Sequence, residues 1–271
     1  LDLSLLNILI LLAAGLGTGL VAGFAGVGGG IVMVPVMLEL LRAWGLPREH
    51  VVQAAMATSL TVSVLSTGSS AWRHHRQQRV LWRLVVPIVP ASMLGGWLGS
   101  ALAAQTDGRW LQTGLACVLL FAAYRLVRQS EPADGDGRPR RSLMLWGVIG
   151  LGTGLFAGLS GLAGGVVLVP SLALFGKLPG RFLAATSSGV IMFTSLAASL
   201  GYMWHGPPAG TLGDGFVGYA NVLAAACLAA TAIPLAQVGA KLNKRTSGVW
   251  FRRLFAVLMV IVVVRLLTTL G

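Results

Sequence analysis

Apolar residues dominate long stretches of this chain, and the polar residues between them fall in short clusters. The apolar stretches run roughly over 3–23, 30–41, 51–72, 82–104 and 110–127, then over 142–158, 164–176, 182–204, 216–240 and 250–269. They read as helix rather than as the alternating strands of a barrel. Most approach the ~20 residues that cross a bilayer as a helix, but the second stretch of each set is short and predicts a half-helix. Between the sets lies QSEPADGDGRPRR, residues 129–141, whose proline, glycine and charge content suits a surface linker and not a span. The expected organisation is therefore a repeat over 1–128, a cytoplasmic linker over 129–141 and a second repeat over 142–271.

The two sets are copies of one unit. GLGTGLVAGFAGVGGGIVMVP, Gly15 to Pro35, returns as GLGTGLFAGLSGLAGGVVLVP, Gly150 to Pro170, with 14 of 21 positions identical. Later matches keep the same order. Ala57-Thr58-Ser59 pairs with Ala185-Thr186-Ser187, and Gly99, Trp110 and Arg125 pair with Gly239, Trp250 and Arg265. Five elements per copy would leave the second copy upside down, as in many secondary transporters.

Composition identifies the solvent. With 55% hydrophobic residues, 10% charged residues and a mean hydropathy of +0.80, the chain is an integral membrane protein. Lipid leaves backbone groups no water partner, so an all-α bundle of about ten helical elements is the expected fold class. The net charge of +12 does not indicate nucleic acid, because the basic residues sit in short loops between apolar stretches. They report topology instead. Arg73, Arg76, Arg79 and Arg83, then Arg125, Arg128, Arg138, Arg140 and Arg141, then Lys241, Lys244, Arg245, Arg252 and Arg253 all fall on one side, together with Lys177 and Arg181. Arg42, Arg48, Arg109 and Arg265 fall opposite, so 16 basic residues are cytoplasmic and both termini lie outside the cytoplasm of a bacterial-type inner membrane. This assumes that the first two elements of each repeat form a hairpin that returns to its starting side. Trp72, Trp82, Trp97, Trp110, Trp204 and Trp250 mark span ends, and Leu3 to Leu20, without the basic flank of a signal peptide, reads as a mature helix.

Glycine clusters precede both short arms, at Gly26 and Gly28 to Gly30 and again at Gly161, Gly164 and Gly165. A broken helix within a bilayer is tolerated where its backbone lines a cavity or is buried in protein, which places both clusters near the midplane. Exposed helix N-termini there would hold a small oxyanion by backbone N–H groups and the dipole, without any formal charge. The competing role is close helix packing, which accounts for Gly15, Gly19, Gly23, Gly95 and Gly99. A dinucleotide loop does not fit, since no strand or soluble domain surrounds these residues.

These paired G-x-G-G-G-x-x-x-x-P segments, the Ala-Thr-Ser elements and the duplicated layout resemble the TauE/SafE family of sulfite and organosulfonate transporters, also called the 4-toluenesulfonate uptake permease family. Gly26, Gly28 to Gly30 and Pro35 match its pattern, as do Gly161, Gly164, Gly165 and Pro170, while Ala163 departs from it where the first copy has Gly28. The resemblance implies transport of a small sulfur-containing anion, commonly the export of sulfite. It implies no cofactor.

Thr58, Ser59, Thr186 and Ser187 stand at equivalent points of the repeats, with Ser188 beside them. They serve either as neutral donors to the anion or as interhelical hydrogen-bonding groups. Gln53, Asn221 and Gln237 are further polar residues in apolar surroundings. All eight acids, Asp2, Glu39, Glu49, Asp107, Glu131, Asp134, Asp136 and Asp214, fall in loops or near span ends, which argues against a mid-membrane carboxylate relay. His74, His75 and His205 lie just beyond the Thr-Ser spans, as interfacial loop residues or as gating groups. Cys117 and Cys227 fit small buried residues, with neither metal-ligand spacing nor a nearby cation to make a thiolate. The sequence thus points to a carrier of sulfite or a small organosulfonate that works by alternating access, one repeat rocking on the other. A passive anion channel and an intramembrane sulfur-handling enzyme are the alternatives.

Overall fold

Each long apolar stretch among the described residues forms one helix in the computed structural model, which describes residues 5–128, 142–176, 178–208 and 210–242, with positions 260, 263 and 264. The first repeat contributes α1 (Leu5–Ala25), α2 (Gly30–Ala43), α3 (Arg48–Arg76), α4 (Trp82–Ala104) and α5 (Gly108–Arg128). The second contributes α6 (Leu143–Ser160), α7 (Gly165–Leu174), α8 (Gly180–His205) and α9 (Val222–Leu242). The linker, its arginines and nearly all of the expected tenth element at 250–269 lie outside the described residues, as do Lys177, Lys244, Arg245, Arg252, Arg253 and Arg265.

Six of these helices, α1, α3, α4, α6, α8 and α9, are long and apolar enough to cross a membrane. The short arms are helical over 14 residues in α2 and 10 in α7, about 21 and 15 Å at 1.5 Å per residue. Neither reaches across a hydrocarbon core of about 30 Å. The stretch 216–240 begins differently from its sequence expectation. Phe216–Val217 (β1) and Ala220–Asn221 (β2) pair antiparallel in a small hairpin, and α9 starts only at Val222.

Glycines let helices of opposite repeats touch. A Cβ on Gly15, Gly19 or Gly23 of α1 would strike the backbone of α9 at Leu228, Ala232 and Ala236. Gly150, Gly154 and Gly158 of α6 meet α4 at Ile88, Ser92 and Gly99 in the same way, while Gly95 and Gly99 of α4 answer against Leu151 and Leu155. Lipid tails are as apolar as leucine, so such close approach supplies association that hydrophobicity does not. At the centre α3 and α8 run antiparallel, with Thr61 Oγ1 and Ser199 Oγ 2.7 Å apart and Ser70 Oγ and Ser188 Oγ 3.4 Å apart. The repeats consequently interlock: α1 and α3 pack with α9, whereas α6 and α8 pack with α4, and the short arms stay with their own copies, α2 on α1 and α3 and α7 on α6 and α8. Each half of the bundle takes its fourth helix from the other copy.

Candidate functional site

The glycine clusters form two loops with the same run of backbone conformations. Gly26, Gly28 and Gly29 have φ of 64°, 94° and 73°, and Gly161, Ala163 and Gly164 have 69°, 60° and 79°. Gly29 and Gly164 are the N-cap residues of α2 and α7, both left-handed and both without a side-chain cap. Left-handed backbone favours glycine, so at the second N-cap and at its counterpart the sequence has little choice. Ala163 is the exception, an alanine held where only a Cβ-free residue is at ease.

The two loops touch at the pseudo-two-fold axis. A Cβ placed on Gly28 would lie 2.5 Å from the Cβ of Ala163, its own counterpart. One placed on Gly30 would lie 2.7 Å from the Gly161 carbonyl oxygen, and one on Gly165 would strike Val27. Gly26 faces Ala184 and Ser187 of α8, Gly161 faces Met56 of α3, and Gly29 and Gly164 lie against Thr18 and Thr153 of the helices that precede them. In this conformation protein atoms therefore cover the Cβ-free faces of all seven site glycines. Close packing, expected for the glycines outside the loops, operates in the loops as well.

The hydroxyls repeat this reciprocity. Ser59 of α3 donates to the Gly161 carbonyl at 3.0 Å, and Ser187 of α8 donates to the Gly26 carbonyl at 2.8 Å. Each serine thus clamps the loop of the opposite repeat, and its single O–H is committed to a carbonyl here. Thr58 donates to Ala54 and accepts the backbone N–H of Asn221 at 3.0 Å; Thr186 accepts the backbone N–H of Leu81 at 3.3 Å. Asn221 and Leu81 both stand immediately before the fourth helix of a repeat, so these bonds are equivalent as well. Ser59, Thr58, Thr186 and Ser187 are all fully buried. The site residues named from sequence are accordingly brought together, with Ser59 and Ser187 bonded directly to the loops and Thr58 and Thr186 one residue further along.

Other residues sit differently from their expected places. His74 is not in an interfacial loop but in the last turns of α3, fully buried, with Nε2 3.4 Å from the Gly23 carbonyl oxygen. Its counterpart is Tyr202 of α8, also fully buried, which donates to the Gly158 carbonyl at 2.7 Å. Gly23 and Gly158 are themselves equivalent, so a ring residue ties each third helix to the helix before the loop. Tyr202 carried no motif; only the spacing that maps Thr58 onto Thr186 also maps His74 onto Tyr202. His205 is the last residue of α8 and packs its ring against Trp97, with centroids 5.4 Å apart. Cys117 is exposed and Cys227 is half-buried, contrary to the expectation of buried packing for both. Trp72, Trp110 and Trp204 are largely exposed at helix ends, as interface aromatics are. In the hairpin, burial first and Glu49 second raise the Tyr219 phenol above its ordinary value.

A helical membrane bundle with inverted repeats and two broken helices that meet on the repeat axis has the architecture of a secondary transporter. The sequence profile of the sulfite exporter TauE/SafE family matches residues 11–266, and the chain belongs to that family of membrane transporters. It is 27% identical to a probable membrane transporter protein of Methanocaldococcus jannaschii over 90% of this chain and 89% of that one. A probable membrane transporter protein of Haemophilus influenzae is 24% identical over 96% and 97% of the two chains, and YunE of Bacillus subtilis, of the same description, is 26% identical over 74% and 80%. No solved structure matches the chain.

Proposed function

We propose that this protein carries a small sulfur oxyanion, sulfite or a small organosulfonate, out across the cytoplasmic membrane by alternating access. The observation that supports this most is the meeting of two uncapped helix N-termini, at Gly29 and Gly164, on the repeat axis and within the part of the bundle where α3 and α8 cross. Backbone N–H groups at such ends, with the dipole behind them, stabilise an anion without the desolvation cost of a buried lysine or arginine. Gly26, Gly28, Gly29 and Gly30 would present one set and Gly161, Gly164 and Gly165 the other, with Thr58, Ser59, Thr186 and Ser187 completing the shell. The loops now pack on each other, so the described conformation corresponds to a closed state and the anion enters as they part.

The parts that move follow the packing and not the gene. Because α9 is bound to α1 and α3, and α4 to α6 and α8, the rocking bodies are two interlocked halves rather than the two repeats of 1–128 and 142–271. This replaces the simpler motion of repeat against repeat. The distribution of basic residues supports a linker in the cytoplasm and both termini outside it.

Purified protein in proteoliposomes loaded with sulfite tests the reading. A carrier gives saturable uptake of labelled sulfite that unlabelled internal sulfite accelerates. Flux without saturation or counterflow makes the protein a channel, and no response to sulfite, thiosulfate or sulfoacetate rejects sulfur oxyanions as substrate.

A further inference from the structure

We infer that Asn221 is a substrate-binding donor on one side of the carrier only, an inference that rests on the anion-transport reading above. Residues 81 and 221 are equivalent in two backbone respects: each precedes the fourth helix of its repeat and gives its N–H to the threonine of the opposite third helix. Their side chains differ. Leu81 leaves its helix without a side-chain cap, whereas the Asn221 Oδ1 accepts the Ala224 N–H at 2.9 Å and caps α9. That bond fixes the orientation of the amide, since a flip would turn the NH2 group against another N–H.

The other end of the same amide has no such use. Asn221 is fully buried, and its Nδ2 has no hydrogen-bond partner among the described residues. A buried donor left unpaired costs about 1–3 kcal/mol. Capping does not require it, because serine, threonine or aspartate caps a helix about as well without bringing a buried NH2. The neighbouring polar groups bond elsewhere and not to Nδ2: the Thr58 hydroxyl gives its proton to Ala54 and receives the Asn221 N–H, and the Gly215 carbonyl accepts the Val222 N–H. Tyr219, in the turn of the hairpin that carries Asn221, packs edge to face on Tyr202 with centroids 6.2 Å apart and gives its backbone N–H to the Tyr202 carbonyl at 3.3 Å. What remains is a neutral two-hydrogen donor beside the positive end of a 21-residue helix, in an apolar and aromatic setting.

An oxygen of an oxyanion fits that donor. Thr58 bonds to the Asn221 backbone while the next residue, Ser59, bonds to the loop at Gly161, so adjacent positions of α3 couple the two places. An anion released from the glycine loops would be met by the amide on the α9 side, and by a leucine at the equivalent point on the α4 side. The asymmetry makes the residue a determinant of affinity at one end of the path.

The test separates cap from donor. Asn221→Ser and Asn221→Thr retain a cap acceptor and remove the NH2 without burying a charge, so at least one of them keeps a wild-type melting temperature. With sulfite, thiosulfate and sulfoacetate as probes in proteoliposomes, the half-saturation concentration for the transported anion rises about tenfold or more, the usual weight of a hydrogen bond to a charged group. Leu81→Asn, which adds the missing counterpart, lowers or leaves it. A wild-type half-saturation value in a stably folded Asn221→Ser or Asn221→Thr protein overturns the inference. Absence of any saturable flux in the wild type instead rejects the anion reading on which it rests.

Discussion

The loops at Gly26–Gly30 and Gly161–Gly165 share a backbone but not a sequence, and the contrast shows which part of the duplication is constrained. Gly26 and Gly161, Gly29 and Gly164, and Gly30 and Gly165 are glycine in both copies, and a Cβ on any of them would meet protein atoms at close range. Gly28 and Ala163 face each other, and the space between them holds one Cβ but not two. Symmetry is therefore kept wherever each copy needs the room for itself and broken at the point where the two copies share it. The same holds away from the loops, where His74 and Tyr202 make one bond with different rings, and Leu81 and Asn221 share a backbone bond but not a cap.

The largest expected effect tests how the copies divide. In a protein without Cys117 and Cys227, Ser92→Cys with Thr194→Cys bridges α4 to α8 within one interlocked half, where the hydroxyl oxygens are 2.9 Å apart. Ser70→Cys with Ser188→Cys bridges α3 to α8 between halves, where they are 3.4 Å apart. Both pairs join the two repeats. Oxidation should abolish transport reversibly in the second pair and spare it in the first; loss in both would restore the motion of repeat against repeat.

A smaller effect probes the shared space. Gly28→Ala adds a Cβ 2.5 Å from that of Ala163 at a left-handed backbone position, and should cost a few kcal/mol, seen as a lower melting temperature. Adding Ala163→Gly vacates the space and should recover most of the loss. No recovery in the double variant would mean that the loops do not meet as described. Smaller again, Ser59→Ala and Ser187→Ala each remove one bond to a loop carbonyl and should destabilise by about 1 kcal/mol apiece. Equal losses would confirm that the clamps are equivalent, and a loss confined to one would show that only one loop is held this way.

Much of this protein follows from its sequence alone. The apolar runs, the short second arms and the Gly15 to Pro35 repeat dictate a helical membrane bundle of two inverted copies, because in lipid a backbone has few other ways to satisfy its hydrogen bonds. The two glycine loops were also legible, since a duplicated glycine cluster before a short helix marks the same backbone turn twice. Tertiary structure decided what each group touches. Helix propensity and hydropathy have no term for a partner far along the chain, so neither could show that Ser59 reaches Gly161, that α1 lies on α9, or that His74 is buried against Gly23 as Tyr202 is against Gly158. The hairpin at Phe216 to Asn221 escaped the hydropathy reading for a related reason: its residues are as apolar as a helix start, and only its pairing and its packing on Tyr202 set it apart. An asparagine among apolar residues was visible from the start. That one end of its amide caps a helix while the other is buried without a partner among the described residues is a property of the fold, because only packing determines which polar atoms are left unpaired.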